Sequence, residues 1–142
     1  MGSDAVILLD THVVIWSATD DLRLGKRARV LISECDQRNP FHVSAISAWE
    51  ITMLVRKGRL DLGEPAQHWF TTAARHPAWQ TIALDAPAAM ESVNLPGNFH
   101  GDPSDRFLIA TARLNGLAIL TADRAILDYA AEGHLKSIDA AR

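Results

Sequence analysis

Short apolar runs alternate with amphipathic helical segments along most of this chain, and that alternation admits few architectures. A strand, a crossover helix and a second strand make a parallel sheet with helices on its faces. The pattern therefore predicts an α/β fold, a three-layer sandwich around a central parallel sheet. Ala5 to Asp10 (AVILLD) is an apolar run ended by an acid, suited to a central strand buried on both faces. Phe41 to Ile46, Thr81 to Asp85 and Leu117 to Thr121 read as further strands, with a weak last one around Lys136 to Ile138. Between them, Leu22 to Gln37 carries Leu24, Ala28, Leu31, Ile32 and Cys35 at helical spacing. The segment after Ser47 places Ala48, Ile51, Leu54 and Val55 on one inward face and ends near Gly58. Pro65 to Arg75, Pro87 to Val93, Asp102 to Gly116 and Ala122 to Gly133 complete the predicted helices.

No linker, repeat or low-complexity stretch divides the 142 residues, which at 48% hydrophobic and 22% charged suit one domain, residues 1–142, with a real core. The only cysteine, Cys35, excludes an intramolecular disulfide and a thiolate cluster for zinc, which fits the cytoplasm. The opening apolar run is too short to span a bilayer and has no basic segment before it, so neither a signal peptide nor a membrane helix is expected. A net charge of −3 argues against a protein that coats nucleic acid through a broad basic surface, while leaving room for a local phosphate site.

Four acids carry the chemistry. Asp10, Glu50, Asp105 and Asp123 each stand at the start of a predicted helix, and all but Asp105 closely follow a predicted strand. In open α/β sheets ligands bind in the crevice outside the carboxyl ends of the strands, so acids repeated there can converge. Each also has a local explanation. Asp10 can cap the following helix. Ser47-Ala48-Trp49-Glu50 matches a capping box, with Glu50 reaching back to the Ser47 amide. Asp102-Pro103-Ser104-Asp105 is helix-start chemistry, and Thr121 can cap the last helix ahead of Asp123. Magnitudes separate the two accounts. A cap contributes about 1 kcal/mol, whereas two like charges about 4 Å apart repel by about 4 kcal/mol at an effective dielectric near 20. Capping explains single acids and not a cluster. Converged carboxylates require protons or a divalent cation, and hard oxygen donors favour Mg2+ or Mn2+.

LLDTHVVIW, VSAISAWEI, HGDPSDRFLIATAR and LAILTADRAI, in this order and spacing, closely resemble the PIN-domain nucleases, especially the VapC-type toxins of prokaryotic toxin–antitoxin pairs. The resemblance covers almost the whole chain, although no functional residue matches between Glu64 and Gly97. It implies a PIN-like fold, metal-dependent endoribonuclease activity on RNA, neutralisation by a cognate antitoxin, and a homodimer whose two acidic sites share a groove. Residue by residue, Asp10, Glu50, Asp105 and Asp123 look like the four family acids. Asp10 and Asp105 are expected as direct metal ligands. Glu50 and Asp123 are expected to act through water or to orient the nucleophile.

Three supporting residues complete the reading. Asp102 belongs to the H-x-D-P-x-D-R variant of the third motif, and is read as a cap before a ligand through water. Thr121 resembles the small polar residue two positions before the fourth acid, able to orient an acid or to cap. Arg106 is read as pairing with a carboxylate before contacting a phosphate. His12 and His100 are read as solvated or locally bonded. The Arg56-Lys57-Gly58-Arg59 run is read as a solvated helix end ahead of an RNA guide, and the four tryptophans as packing anchors ahead of base-stacking platforms. Two other classes compete. One is a haloacid-dehalogenase-like phosphatase using Asp10 as nucleophile, disfavoured by His12 where a second acid is usual. The other is a non-catalytic PIN-like module that binds RNA or protein.

Overall fold

The computed structural model describes residues 6–142. In chain order the elements are β1 (Ile7–Leu9), α1 (Thr11–Ala18), α2 (Lys26–Ser33), β2 (Phe41–Ser44), α3 (Ala45–Arg56), α4 (Ala66–Ala73), β3 (Trp79–Ile82), α5 (Ala86–Val93), α6 (Pro103–Asn115), β4 (Ala118–Thr121), α7 (Arg124–Ala131) and β5 (Lys136–Asp139). The strands form one parallel sheet in the order β3-β2-β1-β4-β5.

Alternation along the central strands explains the three layers. Ile7, Leu9 and Leu120 turn into one apolar cluster with Val13, Val14, Val43 and Ile51. Leu8 and Ile119 turn into a second with Leu108, Ile109, Ile126 and Tyr129. A sheet with apolar side chains on both faces must be covered on both, and the crossover helices do so. The α/β sandwich expected from sequence is therefore the fold observed. From β1 the chain winds outward through β2 and β3, then returns to place β4 on the other side of β1. The crevice beyond the carboxyl ends of β1 and β4 is thus the topological switch point of the sheet.

Several boundaries differ from the sequence reading, each for a local reason. The helix expected over Leu22 to Gln37 is only Lys26–Ser33, with Gly25 as its N-cap and Leu22 93% exposed outside it. At its far end the Asp36 carboxylate accepts from the amides of Arg38 and Asn39, a side-chain turn that competes with further helix. Strand β2 stops at Ser44 because the Ser44 hydroxyl turns to cap α3, accepting from the Ile46 amide at 3.1 Å. The third strand begins at Trp79 instead of Thr81. Its register is set by pairing with β2, Phe41 against Trp79 through Ser44 against Ile82, and Asp85 is left to cap α5. Helix α6 ends where expected, with Gly116 in the left-handed region at φ 65°, which glycine adopts without steric cost.

Candidate metal centre

Asp10 leaves β1 at the switch point and is the N-cap of α1. Its Oδ1 accepts from the Thr11 amide at 2.7 Å and its Oδ2 from the Thr121 hydroxyl at 2.7 Å. Only 4% of the residue is exposed. Burial pushes its carboxyl up, opposed by the nearby His12 ring and the bonds from Thr121 and Thr11, while the Asp123 charge adds to the rise. His12 accepts from the Ala122 amide through Nε2, so its Nδ1 proton faces Asp10 Oδ2, 3.7 Å away. This is the locally bonded histidine that the sequence suggested.

Thr121 ends β4 and is fully buried. Besides donating to Asp10, its Oγ1 accepts from the Asp123 amide at 2.9 Å, so one hydroxyl fixes two of the four acids relative to each other. The expectation that Thr121 caps the last helix is not met. Asp123 is the N-cap of α7, accepting from the Ala125 amide at 2.9 Å.

The capping box at Ser47 is also not formed. Helix α3 already begins at Ala45 under the Ser44 cap, so Ser47 lies inside it. The Thr11 hydroxyl donates to Glu50 Oε1 at 2.5 Å and stands 2.8 Å from Ser47 Oγ. A hydroxyl carries one proton, so Ser47 is the donor to Thr11, and a chain of two bonds holds Glu50 toward β1. This role of Thr11 is not among the expectations from sequence. Its signal was a hydroxyl directly after the first acid, and its partners lie 36 and 39 residues away.

Asp102 is the N-cap of α6, accepting from the Asp105 amide at 3.0 Å and the Ser104 hydroxyl at 2.8 Å, the role favoured from sequence. Asp105, one turn in, accepts no hydrogen bond at its carboxylate from any described residue. Burial first, and then the charges of Asp102, Asp10, Asp123 and Glu50, push its carboxyl up to about 8. Arg106 neither pairs with a carboxylate nor faces the acids. Its guanidinium donates to the carbonyls of Ser92 at 2.8 Å, Phe99 at 2.7 Å and Val93 at 3.4 Å, clamping the loop between α5 and α6. The fork of its guanidinium reaches several loop carbonyls at once. Arg106→Met, which keeps the apolar stem, is expected to lower stability by about 1.5–3 kcal/mol in urea unfolding while leaving cation affinity at the acids within about threefold.

Asp10, Glu50, Asp102, Asp105 and Asp123 line one open cleft of about 250 Å³ with Thr11 and His12, against Ile15 and Leu54. The acids expected to converge line this one cleft. Among the described residues no three His, Cys, Asp or Glu side chains are drawn tightly enough to cage an ion by themselves. The donor set nevertheless fits a hard divalent cation, because Mg2+ in particular keeps several waters and takes only one or two carboxylates directly. The proton held by Asp105 marks the same unmet need for positive charge.

A pH dependence follows. Asp105 is raised from 3.8 to about 8 in the folded protein, so the native state holds a proton that the unfolded chain has released across that window. Stability of the metal-free protein should therefore fall as pH rises from about 4 to 8. Thermal melts in chelator across that range check the sign.

Residues 7–132 match the family model described as PIN domain, and the chain belongs to the PIN-domain family. Among curated proteins it is similar to Ribonuclease VapC22 of Mycobacterium tuberculosis, 34% identical over 123 residues, 87% of this chain and 91% of that one. Among solved structures it resembles a chain of VapBC2 from Rickettsia felis bound to a DNA fragment from their promoter. There the TM-score is 0.66 at 14% identity, over 94% of this chain and 97% of that chain. FitAcB from Neisseria gonorrhoeae gives 0.63 at 20% identity, over 94% and 97%. At these identities the two structures speak for the fold.

Proposed function

We propose that this chain is a metal-dependent endoribonuclease that hydrolyses RNA phosphodiester bonds and serves as the toxin of a toxin–antitoxin pair, acting as a single domain in the cytoplasm. The gathering of Asp10, Glu50, Asp105 and Asp123 around one cleft at the switch point carries the reading. The relative named a ribonuclease supports the substrate class. The resemblance to VapBC and FitAcB assemblies supports a protein antitoxin as partner. A homodimer belongs to the same reading. No described helix is long and apolar enough to cross a membrane.

The division of roles among the acids is the one expected from sequence. Asp105, with no hydrogen bond at its carboxylate from the described residues, is a direct ligand. Asp10 is the second; each of its oxygens accepts one bond and still keeps a lone pair. Glu50 has one oxygen on Thr11 and Asp123 one on the Ala125 amide, leaving the other oxygen of each to hold a water. Thr121, Thr11 and Ser47 position these acids, and Asp102 shapes the start of α6. Mg2+ or Mn2+ suits the all-oxygen set. When bound there, the cation lowers the pKa of a water and offsets charge developing on the phosphodiester oxygens.

Incubating purified protein with a pool of structured RNAs tests the proposal. Discrete fragments should appear with Mg2+ or Mn2+ and disappear in chelator and in the Asp10→Asn variant. Cleavage that persists in both controls would overturn it, and metal binding without turnover would turn the reading toward a binding module.

A further inference from the structure

Helix α3 carries two parallel stripes. Glu50 and Leu54, four apart, face the acid cleft. Trp49, Met53 and Lys57 recur at the same spacing on the neighbouring stripe. A second hollow of about 230 Å³ opens there, closed by Arg59 beyond the helix end and by Pro103 at the start of α6. It shares Glu50, Leu54 and Asp102 with the acid cleft, so the two are continuous.

Beyond the shared Glu50, Leu54 and Asp102, its lining adds an aromatic ring and two basic side chains, Trp49, Lys57 and Arg59. Trp49 is 56% exposed, a large aromatic face left in solvent. Among the described residues Lys57 and Arg59 form no ion pair with a carboxylate. An aromatic face beside unpaired cations matches single-stranded nucleic acid, whose bases stack and whose phosphates need neutralising.

We propose that this hollow is a subsite for one unpaired nucleotide of the RNA next to the bond being cut. Its base stacks on Trp49, and its phosphate lies against Lys57 and Arg59. The inference rests on the nuclease reading for its purpose, since it makes the cleft select single-stranded RNA. Its test is independent of cleavage.

The probe is a fluorescein-labelled oligouridylate of about eight nucleotides, a length within the usual footprint of single-strand sites. Binding is measured by anisotropy to the Asp10→Asn protein, with Trp49→Ala, Lys57→Ala and Arg59→Ala added singly to that background. Trp49→Ala should weaken binding about tenfold or more. Each cation variant should reduce the slope of log affinity against log salt by about 0.7. A duplex of the same length should show neither effect. Unchanged oligonucleotide affinity in Trp49→Ala would overturn the subsite, as would a change in its sedimentation showing that Trp49 instead faces another copy of the chain. If the wild-type protein bound the probe through Trp49 yet cleaved no RNA, the nuclease reading would fail and the subsite would stand.

Discussion

Asp105→Asn is expected to lower metal-dependent RNA cleavage by more than about 100-fold while raising the melting temperature of the metal-free protein at pH 8. The two effects share one cause. The Asp105 carboxyl is held up to about 8 by burial and by Asp102, Asp10, Asp123 and Glu50, so its ionised form is unfavourable unless a cation enters. Asparagine has nearly the same shape and no charge. The wild-type protein loses stability between about pH 4 and 8 as the retained proton leaves, whereas the variant lacks that contribution and is the more stable of the two at the upper end. Saturating Mn2+ should reverse the order, because only the wild type gains from binding. Melts at pH 5 and pH 8, with and without Mn2+, measure all of this. A variant less stable at pH 8 in chelator would make Asp105 a structural acid.

The second large effect is expected at Thr121. Thr121→Val keeps the shape of a fully buried side chain and removes the donor to Asp10 Oδ2 and the acceptor for the Asp123 amide. Leaving those groups unpaired should lower stability by about 1–3 kcal/mol. Asp10 loses one of the bonds that favour its charged form, so its carboxyl moves further up and competes less well for a cation. Loss of such an orienting partner costs about 10–100-fold in metal affinity or activity. Thr121→Ser restores the hydroxyl and should recover most of both. Urea unfolding and Mn2+ titration of the three proteins make the comparison. Recovery of stability in Thr121→Ser without recovery of affinity would limit Thr121 to a structural part.

The sequence made the convergence of acids legible because strand-end positions are fixed by topology. Asp10 and Asp123 follow β1 and β4, which are neighbours in the sheet. Of the two readings of Glu50, the converging acid and the local capping box, only the local one fails. The S-x-x-E pattern is a local rule, and here Ser44 had already capped the helix, freeing Glu50 for Thr11. That bond, like the clamp of Arg106 on Ser92 and Phe99, joins residues distant in sequence, and no periodicity reports such contacts. Strand β3 was displaced for a similar reason. Trp79 and Gln80 are half-exposed or exposed edge residues with little apolar pattern, and β2 sets their register. What sequence read best were elements with their own local chemistry, such as α6 between Asp102 and Gly116.

Mn2+ binding measures most directly whether the clustered acids hold a divalent cation. Calorimetric titration at pH 7 of the wild type, Asp10→Asn and Asp105→Asn should show saturable binding in the wild type. About one proton should be released per protein as Asp105 ionises, and both variants should lose most of the affinity. Absence of binding by the folded wild type, or equal binding in all three proteins, would contradict the account.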